Sequence, residues 1–379
     1  MRRCVRSILA LLLPFVLILS ITPLFAGDDQ IGFTTYYFSD TGENSVITTS
    51  FNLAKQLLEQ TMLLIDIELD NVTVPPVTAI TGATRPQRRK NEPFEKSRGQ
   101  VILGIEQGLS PSTTLAANVY RSQEVDYVSN AVVGTLSQEL FAKNTTVTLR
   151  GQYNFDLVGE ILDNGDVVNE RRRQYTGTAG LSQILSPTTV LDLSYDYVSI
   201  NGFQSDPYRQ VNVRDANGVL VQTDEVHPAK RTRQAATARM SQMIPSIEAA
   251  LIGTYRFYFD TWDVHSHTGE LRLNKYIVRD LILGVDYRYY TQTDAYFYQA
   301  NYSGQQYLSN ALRTADYKLR PFSSNNFGVS FTYLFRGLAA SNKDLEFLQN
   351  SSIELMYFRY FNDLDFAADI IQTSLKFSL

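Results

Sequence analysis

Alternation of apolar and polar residues with a period of two, sustained over segments of about ten residues, constrains the fold most. From 147 to 157 the odd positions carry Val, Leu, Gly, Tyr or Phe, and the even positions carry Thr, Arg, Gln, Asn or Asp. With few exceptions the same division recurs at 63–69, 191–197, 247–260 and 283–289. Each segment has one apolar face and a length that suits a tilted bilayer crossing. The pattern predicts an all-β fold, a transmembrane antiparallel β-barrel.

The connections between these segments are alternately short and long, which is typical of barrels with short periplasmic turns and long extracellular loops. The long polar stretches are 75–96, 159–173, 201–231 and 299–325. We expect about sixteen strands, an even number that places both ends of the barrel in the periplasm. Fourteen is the alternative, because the first strand and the region 337–349 have the weakest pattern. The sixteen segments are 31–38, 45–54, 60–71, 97–108, 113–126, 131–141, 145–158, 174–185, 189–200, 232–243, 246–260, 263–275, 281–297, 326–336, 351–361 and 366–378.

The first 26 residues have the composition of an export signal. Arg2, Arg3 and Arg6 precede an almost uninterrupted apolar stretch from 7 to 21, which is short for a membrane anchor. We expect a cleaved signal peptide at 1–26, a barrel domain at 27–379 and a location in the cell outer membrane. Cleavage removes Cys4, the only cysteine, so the barrel would hold no disulfide, thiolate nucleophile or cysteine-bound metal.

Aromatic residues are expected to mark the two membrane interfaces. Nine of them fall late in strands that run outward, namely Tyr153, Phe155, Tyr195, Tyr197, Tyr255, Phe257, Phe259, Tyr287 and Tyr289. Phe335 and Phe377 fall late in inward-running strands and are assigned to the opposite girdle. The last strand alternates like the others and ends at Leu379 instead of the usual aromatic residue. We expect outer-membrane lipid and, through this strand, the barrel-assembly machinery as partners.

The charge of the chain argues against nucleic acid as a partner. The formal net charge is −5, and it becomes more negative when the three arginines of the leader are removed. A negative surface repels phosphate backbones. The oligomeric state is not encoded in any pattern that we recognise.

Four stretches together resemble an uncharacterised family of bacterial outer-membrane proteins, known only as a domain of unknown function. They are YYFSDTGENSVIT from Tyr36, YVSINGFQSDPYR from Tyr197, EVHPAKRTR from Glu225, and YRFYFDTWDVHSHT followed by YRYYTQTDAYFY from Tyr255 onward. The resemblance covers nearly the whole chain after the leader. It implies an outer-membrane barrel, and no activity or catalytic residue.

The polar faces of the predicted strands supply the candidate pore lining. It comprises Arg150, Gln152, Asp156, Asp192, Asp196, Glu248, Arg256, Asp286 and Arg288. Charges of both signs on the inside of a barrel either hold water or form a plug closed by salt bridges. The first arrangement favours a porin-like passive channel or transporter for small polar solutes, and the second favours a structural or partner-binding barrel.

Two of the three histidines, His265 and His267, are spaced to lie on one face of a strand, together with Asp263. Imidazoles two residues apart can share a transition metal when a neighbour supplies a further ligand. Alternatively they are hydrogen-bonded residues of the interior or of a loop base. A third hypothesis, a barrel-embedded hydrolase, would use one histidine as a general base for Ser266 or another serine. We expect no enzyme, bound metal or cofactor.

The predicted loop at 201–231 mixes basic and acidic residues. Arg209 and Arg214 stand among Asp206, Asp215 and Glu225. Such a loop can fold into the mouth of a barrel and narrow it, with opposite charges that create a field across the constriction. A solvated surface loop with local ion pairs is the alternative.

Overall fold

Sixteen antiparallel strands close into a barrel in the computed structural model, which describes residues 29–74, 94–162 and 166–378. The strands are β1 Gln30–Asp40, β2 Ser45–Leu58, β3 Thr61–Val74, β4 Phe94–Ser110, β5 Thr113–Gln123, β6 Tyr127–Leu140, β7 Thr145–Ile161, β8 Val167–Ser186, β9 Thr189–Gly202, β12 Lys230–Ile244, β13 Ala249–Asp260, β14 His265–Val278, β15 Leu281–Gln292, β17 Phe322–Leu334, β18 Ser352–Asn362 and β19 Ala367–Ser378. Each barrel strand overlaps one of the predicted segments, so the count of sixteen is confirmed. The expected signal peptide lies outside the described residues.

Neighbouring barrel strands follow one another along the chain, and the ring is closed where β1 pairs with β19. That seam runs from Gln30 opposite Ser378 to Asp40 opposite Ala368 without interruption. Closure gives every strand two hydrogen-bonded neighbours, so no row of backbone N–H and C=O groups is left facing lipid. No helix within the described parts of the chain is long and apolar enough to cross a membrane.

The alternation of the sequence becomes an apolar outer surface. On β7, Leu149 is 53% exposed and Phe155 is 46% exposed, whereas Asn154 and Asp156 on the other face are buried. Large apolar side chains are thus exposed systematically on one face of the sheet. A lipid environment, and not a buried core, accounts for such a surface.

The expected aromatic girdle is present at the outer ends of the strands. Tyr153 and Tyr175 lie 4.8 Å apart between ring centroids, as do Tyr287 and Phe327. Tyr255 is 51% exposed on the outer surface. Aromatic rings are favoured at the boundary between lipid tails and headgroups, where these side chains lie.

The periplasmic end has a short helical segment between β17 and β18, in the region of weakest pattern. It consists of α1 Arg336–Ser341 and a 3₁₀ helix Lys343–Leu348. Ala339 and Leu348 pack against Ile31 of β1 and Phe377 of β19. Phe377 is therefore only 1% exposed, and its assignment to a lipid-facing girdle is wrong because the segment covers it.

The extracellular end carries a small folded lid, defined here as residues 203–229 and 293–321. It contains a three-stranded sheet of β10 Gln210–Arg214, β11 Leu220–Asp224 and β16 Tyr302–Ser303. The first lid segment leaves the barrel at Gly202, whose φ is +120°. A Cβ atom there would lie 2.2 Å from the carbonyl oxygen of Arg171, so the exit into the lid requires glycine.

Candidate functional site

The inner face of the barrel carries eight of the nine predicted pore-lining residues. Arg150, Gln152 and Asp156 lie on β7, Asp192 and Asp196 on β9, Arg256 on β13, and Asp286 and Arg288 on β15, each opposite the exposed apolar face of its strand. Glu248 differs, because it lies in the periplasmic turn before β13 with φ +51°. The structure therefore places Glu248 at the end of the barrel and outside the inner wall.

Three arginines on the inner face of the barrel are exposed. Arg150 and Arg288 point inward and are nevertheless exposed. Arg239 on β12, which the sequence analysis missed, behaves in the same way. An inward side chain is exposed only where the lumen is not filled by protein. None of the three forms an ion pair with another residue that the structure describes, unlike the arginines of a salt-bridged plug.

Other inner charges are balanced across neighbouring strands. Arg272 on β14 binds the buried carboxylate of Asp286 on β15. Two residues along the same ladder, Glu270 stands directly opposite Arg288. Of these four residues only Arg272 and Asp286 form an ion pair, so Arg288 stays without one and the inner wall carries both signs of charge.

An acidic group that the sequence analysis missed lies on β3. Asp66, Glu68 and Asp70 face inward, and Arg98 of β4 contacts Glu68 at 2.5 Å and Asp70 at 2.7 Å. The side-chain amide of Asn52 donates to Asp66 at 2.5 Å. The alternation of three carboxylates in β3 was the signal that could have identified this group.

The buried carboxylate of Glu225 holds the two parts of the lid together. The Thr314 hydroxyl donates to Glu225 Oε1 at 2.6 Å, and the Ala315 N–H donates to the same oxygen at 3.1 Å. Arg209 Nη1 and His227 Nε2 each lie 3.4 Å from the carboxylate. These contacts join residues of the β9–β12 loop to residues of the β15–β17 loop, so the lid is a folded unit.

The charges around Glu225 lower its pKa. Burial alone would raise the pKa of this carboxyl group. The hydrogen bond and charge of His227, the charge of Arg209 and the hydrogen bond of Thr314 outweigh burial, so the pKa lies below the ordinary glutamate value. The ionised carboxylate is thus the form that stabilises the folded lid.

The lid is tied to the barrel rim through Tyr208. Its hydroxyl donates to Asp126 Oδ2 at 2.8 Å and accepts from the Ile161 N–H at 3.0 Å. Burial and the hydrogen bond to Asp126 raise the pKa of Tyr208, so it stays protonated as a donor. Lys96 of β4 completes the contact by lying 2.6 Å from Asp126.

A second anchor lies at the base of the lid around Trp262. Arg231 binds the buried carboxylate of Asp260 and stacks over the indole ring, with 4.0 Å between its guanidinium carbon and the ring centroid. His227 and Phe297 contact the same indole with centroid distances of 5.3 and 5.2 Å. Trp262 therefore touches both lid segments and the wall.

A cavity of about 450 Å³ lies between the lid and the rim. Its polar walls include Lys96, Arg172 and Arg209 as well as Glu124 and Asp316. The predicted infolding of the loop at 201–231 is thus realised as a roof with charges of both signs. In addition Tyr317 of the lid contacts Phe366, between β18 and β19, with 6.5 Å between ring centroids. The lid consequently spans the mouth.

The structure does not support the histidine site. His265 and His267 are exposed on the outer face of β14, and His267 Nδ1 lies 2.7 Å from the Tyr255 hydroxyl. Asp263 lies in the preceding turn with φ +64°. Ser266 is buried on the opposite face, so neither histidine can serve it as a base. No group of three metal-ligating side chains is found within 29–74, 94–162 and 166–378. Of the interior and loop-base alternatives, the structure excludes the interior, and His265 is the first residue of β14.

Comparison of the sequence with protein families gives one match that spans the chain. The family is described as protein of unknown function (DUF3570), and its model matches residues 22–167 and 160–379. The chain belongs to this family. The predicted resemblance is confirmed, and no curated protein matches the sequence significantly.

Solved structures with a similar fold are outer-membrane porins, channels and receptors. A BenF-like porin from Pseudomonas fluorescens is 9% identical with a TM-score of 0.46, over 93% of this chain and 98% of the porin. The CymD monoaromatic hydrocarbon channel is 9% identical with a TM-score of 0.44, over 94% and 90% of the two chains. The siderophore receptor PirA from Acinetobacter baumannii is 11% identical with a TM-score of 0.48, over 89% of this chain and 53% of the receptor. This chain thus spans about half the length of such receptors, and the likeness concerns the fold alone.

Proposed function

We propose that this member of the DUF3570 family is a porin-like passive channel for small polar solutes in the outer membrane. The observation that carries the proposal is the exposure of the inward-facing Arg150 and Arg288. A barrel that served only as a scaffold would bury or pair such charges, because an uncompensated charge in a dry interior is costly. A water-filled lumen leaves them solvated and available to solutes.

The lid defines how a solute enters this channel. It passes through the cavity beneath the lid, where Lys96 and Arg209 face Glu124 and Asp316. It then meets the inner wall, where Arg150, Arg239 and Arg288 form no ion pair with a described residue, whereas Arg98 and Arg272 are paired with carboxylates. Walls with both signs of charge favour polar solutes over apolar ones because they replace part of the hydration shell.

The test is the electrical conductance of the purified full chain in planar lipid bilayers. We expect discrete current steps and swelling of liposomes in a small neutral sugar. In a salt gradient, Arg150→Gln combined with Arg288→Gln should shift the reversal potential toward cation preference, because two positive charges leave the wall. Arg359→Gln is the matched control, since Arg359 lies on the outer surface and pairs with Asp369. Absence of both current steps and swelling would overturn the proposal in favour of a closed scaffold.

A further inference from the structure

Three consecutive arginines on β8 are divided between the two faces of the barrel. Arg172 points inward, where it contacts Asp156 at 3.0 Å. Its neighbours Arg171 and Arg173 point outward and are exposed, opposite Leu157 and Phe155 of the apolar face of β7. Strand alternation therefore places two arginines on the outer face of β8, among exposed apolar side chains of the neighbouring strand.

Two further basic residues lie on the same outer wall. Strand pairing connects Arg121 of β5, Asn130, Phe155, Arg173, Asn201 and Lys230 of β12 in one unbroken row across six strands. Arg121 and Lys230 are both exposed. We define the outer basic strip as Arg121, Arg171, Arg173 and Lys230. Since neighbouring strands lie about 4.8 Å apart, Arg173 and Lys230 are separated by about 10 Å.

The outer basic strip has no acidic partner. None of its four members forms an ion pair with any residue in the part of the chain that the structure describes. The guanidinium of Arg121 donates to two neutral oxygens, Asn130 Oδ1 and Gln123 Oε1, both at 3.0 Å. By contrast Arg359, on another part of the outer wall, contacts Asp369 at 2.6 Å. The strip thus concentrates uncompensated positive charge on an acidic protein.

The height of the strip matches the outer headgroups. The exposed rings of Phe155 and Tyr175 belong to the outer aromatic girdle. Arg173 pairs with Phe155 across the two strands, and it lies two residues closer than Tyr175 to the extracellular end of β8. Girdle aromatics lie at the boundary between lipid tails and headgroups. Arg173 lies level with Phe155 and Arg171 lies one row beyond it, so both are within reach of the phosphates of the outer leaflet.

We propose that the outer basic strip binds the phosphate groups of the phosphorylated glycolipid in the outer leaflet. Arginine presents N–H donors in a planar fork that matches two phosphate oxygens. Arg171 and Arg173 hold one phosphate between them, and Arg121 and Lys230 engage neighbouring ones. The row of Asn130 and Asn201 supplies neutral donors between the charges. This role is independent of the proposed channel.

The test is native mass spectrometry of the detergent-purified full chain titrated with a diphosphorylated lipid A and with its dephosphorylated form. We expect preferential binding of the phosphorylated lipid. Combining Arg171→Gln, Arg173→Gln and Lys230→Gln should weaken that binding by at least about tenfold. Arg359→Gln is the matched control and should bind as the parent protein does. Excess inorganic phosphate should compete, which would show that phosphate rather than acyl chains is recognised.

Two results would overturn the proposal: equal binding of the two lipids by the parent protein, or equal loss in the strip variant and in Arg359→Gln. All strip residues are exposed, so the variants should fold, and an unchanged far-ultraviolet circular dichroism spectrum would report an intact barrel. Conductance and lipid binding are separate measurements. Failure of either proposal is therefore visible without reference to the other.

Discussion

At the scale of single residues, the most informative side chain is a glutamate, a charged residue type that is ordinarily found on the surface. Glu225 stands in a polar loop of the sequence, yet its carboxylate is fully buried and receives Thr314, Ala315, Arg209 and His227. Thr314 and Ala315 lie about 90 positions away along the chain. No local sequence pattern encodes a contact between such distant residues. The charged residues of the loop could therefore be predicted from the sequence, but their partners could not.

Acidification should release the lid through Glu225. A lowered pKa in the folded state means that the stabilisation is complete above the unfolded pKa and is lost as the pH falls through the folded pKa. Because Trp262 is the only tryptophan and packs on His227, its fluorescence should change in that acidic range.

Glu225→Gln provides the comparison for this titration. It should loosen the lid by about 1–3 kcal/mol at neutral pH, since buried donors lose their charged acceptor. The acid transition of Trp262 fluorescence should then disappear or become much smaller. Arg209, His227, Asp206 and Asp316 also surround this site, so an unchanged transition in the variant would assign the effect to one of them.

At the scale of secondary structure, the barrel strands were predictable and the lid strands were not. Alternation over ten or more residues is imposed by lipid on one face and water on the other, and most of the sixteen strands show it, with the first strand as the weakest. The strands β10 and β11 have five residues each, and β16 has two. They contact other loops, where no membrane imposes a period. The helix α1 also lacks an alternating pattern, because no membrane imposes a period of two on it.

Removal of the Phe377 ring should show how much the helical segment stabilises the barrel. Phe377 is buried beneath Ala339 and Leu348, so Phe377→Ala should lower the free energy of unfolding by about 3–5 kcal/mol. Phe331→Ala is the matched control, because Phe331 is 47% exposed on the lipid face. Urea unfolding in lipid vesicles measures both, and equal losses would show that the segment adds nothing to the burial of Phe377.

At the scale of the whole molecule, the lid and the barrel form two units joined by few contacts. Tyr208 links the lid to the rim at Asp126 and Ile161, while Trp262 holds its base. The rim contact is polar and small, whereas the base is aromatic and buried. Because of this asymmetry, we expect the lid to open at the rim contact.

Tyr208→Phe should therefore raise the fraction of time that the channel spends in its open state. The variant keeps the ring and loses the hydrogen bonds to Asp126 and Ile161, which together contribute about 1–3 kcal/mol. Single-channel recording should show longer open times with unchanged conductance of the open state. Tyr307→Phe is the control, because its hydroxyl contacts only Gln299 within the lid. Identical open times in both variants would exclude the rim contact as a gate.

The closure of the ring has a consequence for the order in which this barrel forms. Across the seam the hydroxyls of Thr34 and Ser374 lie 3.2 Å apart, although 340 positions separate them in the chain. All other barrel neighbours are joined by one turn or loop, so they can pair as the chain is laid down, whereas β1 waits for the last strand. Chain entropy opposes this pairing most, by about 5 kcal/mol on the logarithmic dependence on loop length. We therefore expect the seam to be the last contact made as the barrel forms.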